Sequence, residues 1–177
     1  LWAKKQYYEE SSRVPMIIVG AANGEEIECD SVDNRLVGWQ DIMPTLLQLA
    51  GIPIPESVQG QSMLNDTSRD MLYGELGIGA RATRMVHVAR YKLIYYPVGN
   101  QVQLFDLEDD PEELVDIAGH AEAAAQRADM EKMLTRQLSG LDRGWVVDNR
   151  LVGVPFESSA WTGNKGLSTQ RGIHWPL

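Results

Sequence analysis

The chain has 177 residues, of which 44% are hydrophobic and 23% charged, and its formal net charge is −9. A chain of this length can bury one full hydrophobic core together with a smaller second unit. The acidic balance argues against a nucleic-acid partner, since proteins that bind nucleic acids are normally basic. Every apolar run falls short of the roughly 18 residues needed to cross a bilayer, so we expect no membrane partner. The single cysteine excludes an intramolecular disulfide, and no sequence feature indicates a localisation.

The first apolar run, residues 14–19, reads Val-Pro-Met-Ile-Ile-Val and is followed by Gly20. A continuous run of this kind predicts a strand that is buried on both faces of a parallel sheet. Two alternatives stay open: an edge strand of a small sheet, or a strand of a larger sheet whose other strands lie upstream of Leu1. Because the chain begins without an initiator methionine, we expect a processed or truncated piece of a longer protein.

Residues 39–50 carry apolar side chains at helical spacing and predict an amphipathic helix. Asp41 is placed to cap this helix or to oppose its N-terminal dipole, and Pro44 is tolerated in a first turn. Gly51 follows as a C-terminal stop signal. The pattern indicates packing and capping, and we assign these residues no chemistry.

Four further segments predict strands: residues 71–75, 82–89, 90–97 and 101–107. The last two are separated by Gly99-Asn100, a turn signal typical of a β-hairpin. An acidic turn stiffened by Pro111 leads to an alanine-rich helix over residues 121–138. Its predicted buried stripe consists of Ala124, Ala128, Met130, Leu134 and Leu138. A small antiparallel sheet of about four strands with a helix on one face is a stable two-layer α+β unit.

The C-terminal residues 139–177 contain Trp145, Trp161 and Trp175 and show little periodicity. This tail is too apolar to be disordered, so we predict an extended arm that wraps over a surface. Within it, residues 147–153 repeat the heptapeptide Val-Asp-Asn-Arg-Leu-Val-Gly of residues 32–38. A shared turn-then-strand geometry is the one structural expectation that the repeat supports.

Several of these segments resemble, in the same order, motifs of the sulfatase family. The chain starts with L-W-x-K-x-x-Y-Y-E-x-S-x-R-V-P-M-I-I, and the helix reads D-I-M-P-T-L-L-Q-L-A-G-I with G-Q-S-M following at residue 60. The hairpin reads Y-K-L-I-Y-Y-P and then L-F-D-L-E-D-D-P-E-E. The resemblance covers residues 1–118, and four separate matching segments make it specific.

The resemblance implies the C-terminal portion of a formylglycine-dependent sulfatase of the alkaline-phosphatase-like superfamily, an enzyme that hydrolyses sulfate esters. Residues 1–52 would end its α/β catalytic domain, so the strand and first helix would belong to an incomplete α/β sheet. Residues 53–138 would form the antiparallel sheet-plus-helix subdomain, and residues 139–177 the Trp-rich tail. The family's sulfate-contacting lysine falls on Lys4, not on Lys5. Calcium and formylglycine are implied as cofactors of the intact enzyme.

The nucleophile of the family is not identified in this chain. Cys29 begins C-D-S-V-D, which fits the first three positions of the formylglycine motif C-x-S/P-x-R but places Asp33 where arginine belongs. We therefore interpret Cys29 as unrelated to the nucleophile and Asp30 and Asp33 as solvated carboxylates rather than metal ligands. His87, a single histidine in a strand, is interpreted as structural. We predict no metal site and no activity for the fragment alone.

Two alternatives to a sulfatase stay open. One is a phosphonate or phosphate ester hydrolase of the same superfamily, since sulfuryl and phosphoryl groups share size and charge placement. The other is a non-catalytic binding or assembly module. An unpaired apolar strand and helix face also predict possible self-association of the fragment.

Overall fold

The computed structural model describes residues 6–22, 25–27, 30–66 and 68–155. The α-helices are α1 (Glu9–Ser12), α2 (Ile42–Leu49) and α3 (Ala124–Gln137). The strands are β1 (Ala21–Ala22), β2 (Glu25–Glu26), β3 (Leu72–Leu76), β4 (Thr83–Val88), β5 (Tyr91–Tyr96), β6 (Gln101–Asp106), β7 (Val146–Val147) and β8 (Arg150–Leu151). Short 3-10 helices cover Trp39–Asp41, Gly79–Arg81, Ala121–Ala123 and Gly140–Trp145. No helix in these ranges is long and apolar enough to cross a membrane.

The chain divides into two compact units. The sheet unit consists of Leu1–Val14, Tyr73–Val86 and Tyr91–Leu177, and the α2 unit consists of Pro15–Leu72 and His87–Arg90.

The predicted antiparallel sheet is confirmed, with four strands in the order β3-β4-β5-β6. The predicted hairpin joins β5 to β6, and Leu93 pairs with Leu104 in its register. Its turn places Gly99 at φ 73° and Asn100 at φ 51°, and the Asn100 N–H donates to the Pro97 carbonyl at 3.1 Å. Glycine and asparagine tolerate this left-handed backbone best, which is why the turn forms at these two residues.

Both faces of the hairpin are covered. On one face, Ile94 and Phe105 form a buried cluster against which the rings of Tyr7 and Tyr8 pack. Alternate residues of a strand point to opposite faces, and Tyr95 accordingly contacts Trp145, with ring centroids 6.3 Å apart. Burial from both sides explains why β5 is a nearly continuous apolar run.

Helix α3 packs against β5 and β8. Its buried face contains Met130 and Leu134, as predicted, and Leu138 is buried just beyond its end. The prediction was wrong for Ala124 and Ala128, which are exposed. Alanine has little side chain to bury, so its position indicates a helix face poorly, and the large residues determine which face meets the sheet.

In the α2 unit, the predicted helix is confirmed and Asp41 is buried at its start. One carboxylate oxygen of Asp41 accepts the Gly38 N–H and the other accepts the Gln61 N–H, each at 2.8 Å. The Thr45 hydroxyl donates to the Asp41 carbonyl at 2.6 Å and accepts the Met63 N–H at 2.9 Å. Two motifs recognised separately in the sequence are therefore joined by hydrogen bonds, as the packing-and-capping interpretation requires.

Residues 14–19 form no strand, so the alternative of an edge strand in a small sheet is wrong. A strand requires a neighbour that completes its hydrogen-bond ladder, and no described residue pairs with this segment. The side chains of Ile17 and Val19 are 86% and 87% exposed. The other alternative, a strand of a larger sheet, stays a prediction.

The described part of the tail, residues 139–155, differs from the expected extended arm. A 3-10 helix places Trp145 in the core, and the β7-β8 hairpin follows it. The chain then returns to the β5-β6 turn, where the Val154 N–H donates to the Pro97 carbonyl at 2.8 Å. Trp161 and Trp175 lie outside the described residues.

The repeated heptapeptide adopts two conformations. At residues 147–153 it forms the β7-β8 hairpin, with Asp148 at φ 49° and Asn149 at φ 60°. At residues 32–38 it forms no strand, and the Arg35 guanidinium binds the Asp33 carboxylate instead. The expected shared geometry is therefore wrong.

Burial raises the pKa of Tyr7 from 10.0 to about 12, against the opposing positive charge of Arg84. Burial likewise raises the pKa values of Tyr73, Tyr95 and Tyr96 above the ordinary range. All four phenols belong to the sheet unit. Folding of this unit therefore favours their neutral forms.

We expect the sheet unit to lose stability at alkaline pH. The contribution of Tyr7 is complete below its unfolded pKa of 10.0 and is lost as the pH rises through about 12. Urea unfolding at a series of pH values, with phenolate absorbance recorded in parallel, measures this dependence. Tyr7→Phe should reduce the alkaline loss, and ionisation of all tyrosines at their ordinary pKa in the folded chain would contradict the prediction.

Candidate functional site

The sequence places the candidate site residue, Lys4, in the N-terminal motif. Lys4 lies outside the described residues, whereas the end of the same motif, residues 6–13, is described. The geometry of these residues shows how the motif joins the sheet unit.

A buried ion cluster, formed by Lys92, Glu9 and Glu113, joins three of the recognised motifs. The Lys92 ammonium lies 2.6 Å from Glu9 Oε1 and 2.8 Å from Glu113 Oε1, and it donates to the Tyr7 carbonyl at 2.9 Å. The side chains of Lys92 and Glu113 are each 1% exposed. Two carboxylates and a carbonyl oxygen therefore surround one ammonium that is removed from water.

Glu113 also contacts the backbone of the N-terminal motif, because its Oε2 accepts the Glu9 N–H at 2.5 Å. Its own backbone lies at φ 55°, an uncommon conformation for a non-glycine residue. A hydrogen bond to the preceding acidic turn holds this backbone conformation, since the Glu113 N–H donates to the Asp110 carbonyl at 3.1 Å. The acidic turn thus directs a carboxylate into the protein.

Two tyrosines fix the same motif to the sheet. The Tyr7 ring lies so close to Gly74 that a Cβ at this glycine would come within 2.7 Å of it. The Tyr8 hydroxyl donates to Gln103 Oε1 at 2.8 Å, and its ring meets Phe105 edge-on at 5.8 Å. Gly74 is therefore required for the close approach of the Tyr7 ring to β3.

Two of the residues that the sequence analysis set aside have partners in the structure. Asp33 is held by Arg35, whose hydrogen bonds lower the pKa of the Asp33 carboxyl. His87 Nε2 lies 3.1 Å from the Ala89 carbonyl. Cys29 lies outside the described residues. Within the described ranges, no three His, Cys, Asp or Glu side chains are grouped so that they could hold a metal ion.

Sequence reasoning missed the ion cluster, although each of its members is part of a recognised motif. The glutamate of Y-Y-E, the lysine of Y-K-L-I and the second glutamate of D-P-E-E supply its charges. Their positions within recognised motifs indicated that these residues matter. Their pairing could not be predicted from the sequence, because Lys92 and Glu9 are 83 residues apart.

Comparisons with known proteins identify the family. Residues 1–140 match the family described as "N-sulphoglucosamine sulphohydrolase, C-terminal". An arylsulfatase of Clostridium perfringens is 32% identical over 165 residues, which cover 89% of this chain and 34% of that protein. Arylsulfatase K of Bos taurus is 36% identical over 133 residues, which cover 65% of this chain and 24% of that protein. The chain thus spans about a third or less of the length of these relatives.

A solved structure described as a 2-O GAG sulfatase is similar in fold. Its TM-score is 0.50 at 28% sequence identity, and the match covers 53% of this chain and 23% of that one. The family match, the relatives and the fold agree with the resemblance seen in the motifs. The chain therefore belongs to the sulfatase family and corresponds to the C-terminal portion of its members.

Proposed function

We propose that this chain is the C-terminal part of an enzyme that hydrolyses sulfate esters, and that Lys4 contacts the sulfate group. The family match over residues 1–140 carries the proposal, because it includes the motif in which Lys4 stands. A fixed ammonium would neutralise negative charge that builds on the sulfuryl oxygens and on the departing oxygen. This electrostatic stabilisation is the chemistry that we assign to the chain.

The remaining chemistry would come from outside this chain. The calcium ion and the formylglycine that the resemblance implies would supply a Lewis acid and a nucleophile. The described residues do not fit a metal site, so we derive no step through either group. The domain boundaries at residues 52 and 138 likewise stay a prediction.

The test is to assay the intact enzyme that carries this chain with 4-nitrophenyl sulfate and with 4-nitrophenyl phenylphosphonate under identical conditions. A kcat/KM that is higher for the sulfate supports the proposal. Preference for the phosphonate would favour the alternative of a phosphonate or phosphate ester hydrolase. Activity on neither substrate, nor on a sulfated glycosaminoglycan fragment, would favour a binding or assembly module.

The 177-residue chain by itself should not hydrolyse aryl sulfates. The reason is that it contains neither the C-x-S/P-x-R motif nor a metal-ligand group among its described residues. Release of 4-nitrophenol from 4-nitrophenyl sulfate by the purified chain with calcium is the measurement. Turnover above the rate in buffer with calcium would contradict this prediction.

We further propose that the apolar surface of the α2 unit is covered by other protein. Trp39 is 83% exposed and Leu46 is 59% exposed, in addition to Ile17 and Val19. We propose that these side chains form one apolar patch, and an exposed patch of this kind is typical of an interface. The cover that we propose is a second copy of this chain.

Light scattering of the purified chain at several concentrations tests this prediction. We expect the mean mass to rise with concentration, and Leu46→Glu should reduce the rise. Leu114→Glu, at another exposed apolar residue, is the matched control in the sheet unit. A chain that stays strictly monomeric at every concentration would contradict the proposal.

A further inference from the structure

We propose that the buried ion cluster of Lys92, Glu9 and Glu113 is a positioning device for Lys4. It fixes the N-terminal motif to the antiparallel sheet and thereby determines where the Lys4 ammonium stands relative to the sulfate. The inference rests on the function proposed above for Lys4. Lys92, Glu9 and Glu113 are positioning residues, since none of them is placed in contact with substrate.

Every residue from 6 to 9 is bonded to the sheet or to the loop that follows it. The side chain of residue 6 accepts from the Tyr96 hydroxyl at 3.3 Å, and the carbonyl of residue 7 accepts from the Lys92 ammonium at 2.9 Å. The hydroxyl of residue 8 donates to the Gln103 side chain at 2.8 Å, and the N–H of residue 9 donates to the Glu113 carboxylate at 2.5 Å. Such a series leaves the segment little freedom to slide along the sheet. Its register on the sheet is therefore set by specific polar contacts as well as by the aromatic packing.

The cluster provides direction that apolar packing does not. Hydrophobic contact is non-directional, whereas the Lys92 ammonium meets three oxygen atoms. It donates hydrogen bonds to Glu9 Oε1 at 2.6 Å and to the Tyr7 carbonyl at 2.9 Å, and it forms an ion pair with Glu113 Oε1 at 2.8 Å. Two of the three belong to the N-terminal motif, on Tyr7 and Glu9. A buried charge cluster often contributes less stability than an apolar replacement. Specification of geometry is therefore the better explanation for its presence here.

The cluster is close enough in the chain to control Lys4. Tyr7, whose carbonyl binds Lys92, follows Lys4 by three residues, so the chain limits the distance between their α-carbons to about 11 Å. A displacement of about 1 Å at a group that acts in the transition state can cost up to about 10² in rate. Loosening of the cluster should therefore appear in kcat.

The test compares Glu9→Gln with Asp142→Asn in the intact enzyme. Asp142 forms a similarly buried ion pair with Arg84 at 2.6 Å in the same unit, and this pair holds the 3-10 helix of Trp145. Arg84 also acts electrostatically on Tyr7, so the control substitution is made at Asp142, which leaves the Arg84 charge in place. Hydrogen exchange of the amides of residues 6–13 should rise about tenfold in Glu9→Gln and stay unchanged in Asp142→Asn. This measurement requires no activity.

The second readout is kcat, calculated per folded enzyme molecule, in a double-mutant cycle that combines Glu9→Gln with Lys4→Ala. Glu9→Gln should lower kcat about tenfold with Lys4 present and less than about twofold with Lys4→Ala, because both changes remove the same contact. Asp142→Asn should have the same small effect in both backgrounds. Lys92→Arg, which keeps the positive charge, should retain more activity than Lys92→Met.

Each outcome has a distinct meaning. Faster exchange of residues 6–13 with non-additive kcat effects supports the inference. Unchanged exchange in Glu9→Gln overturns the fixation of the motif, and additive kcat effects overturn its action through Lys4. A Lys4→Ala enzyme with normal kcat would contradict the proposed sulfate contact, whereas faster exchange would still support fixation by the cluster.

Discussion

Lys4→Ala in the intact enzyme is expected to lower kcat by on the order of 10² or more, because a preorganised charge at the sulfuryl oxygens would be lost. The proposed contact would strengthen as charge develops in the transition state, so the loss should fall on kcat more than on KM. Steady-state kinetics with an aryl sulfate measures both constants.

Lys5→Ala is the matched control, since it removes the same charge from the adjacent residue. We propose that the register of the motif places Lys4, not Lys5, at the sulfate-contacting position, so Lys5→Ala should be nearly silent. Equal and small effects of both substitutions would show that the register is wrong or that neither lysine faces the site.

Lys92→Met is expected to lower the free energy of unfolding by about 3–5 kcal/mol, because the Glu113 carboxylate would be left buried without its cation and the partly buried Glu9 carboxylate would lose its nearest one. Urea unfolding of the chain, followed by circular dichroism, measures the change. Lys132 is an exposed lysine on α3, so Lys132→Met should change the stability by less than about 0.5 kcal/mol.

A triple variant separates the loss of the cation from the loss of packing. Lys92→Met combined with Glu9→Gln and Glu113→Gln replaces the buried charges by neutral groups of similar size. We expect it to recover part of the stability lost in Lys92→Met, since a neutral cluster avoids the unpaired buried charges. A triple variant less stable than Lys92→Met would contradict the electrostatic explanation.

The sequence by itself determined the elements whose cause is local. The Gly99-Asn100 turn and the flanking β-branched and aromatic runs predicted the hairpin, and the observed register follows from them. The spacing of apolar residues predicted α2, and Asp41 was recognised at its start. Turn chemistry and periodicity act within a few residues, so they can be read without knowledge of the fold.

The tertiary structure alone decided which motif residues meet. Glu9, Lys92 and Glu113 come together because the N-terminal segment and the acidic turn lie against β5, an arrangement that no local pattern encodes. The apolar run at residues 14–19 left two alternatives open, and the structure excludes the edge strand of a small sheet, since strand formation depends on a partner.

The repeated heptapeptide shows most directly that tertiary contacts, and not the local sequence, can decide a conformation. Identical residues form a hairpin at 147–153 and a bend without strands at 32–38. In the hairpin, Asn100 donates to the Leu151 carbonyl at 3.1 Å, and Gly153 lies against the Pro97 carbonyl where a Cβ would clash. In the bend, Arg35 instead donates to the Asn65 and Met63 carbonyls. The local sequence permits both conformations, and contacts with distant residues select between them because local preferences amount to only about 1 kcal/mol per residue.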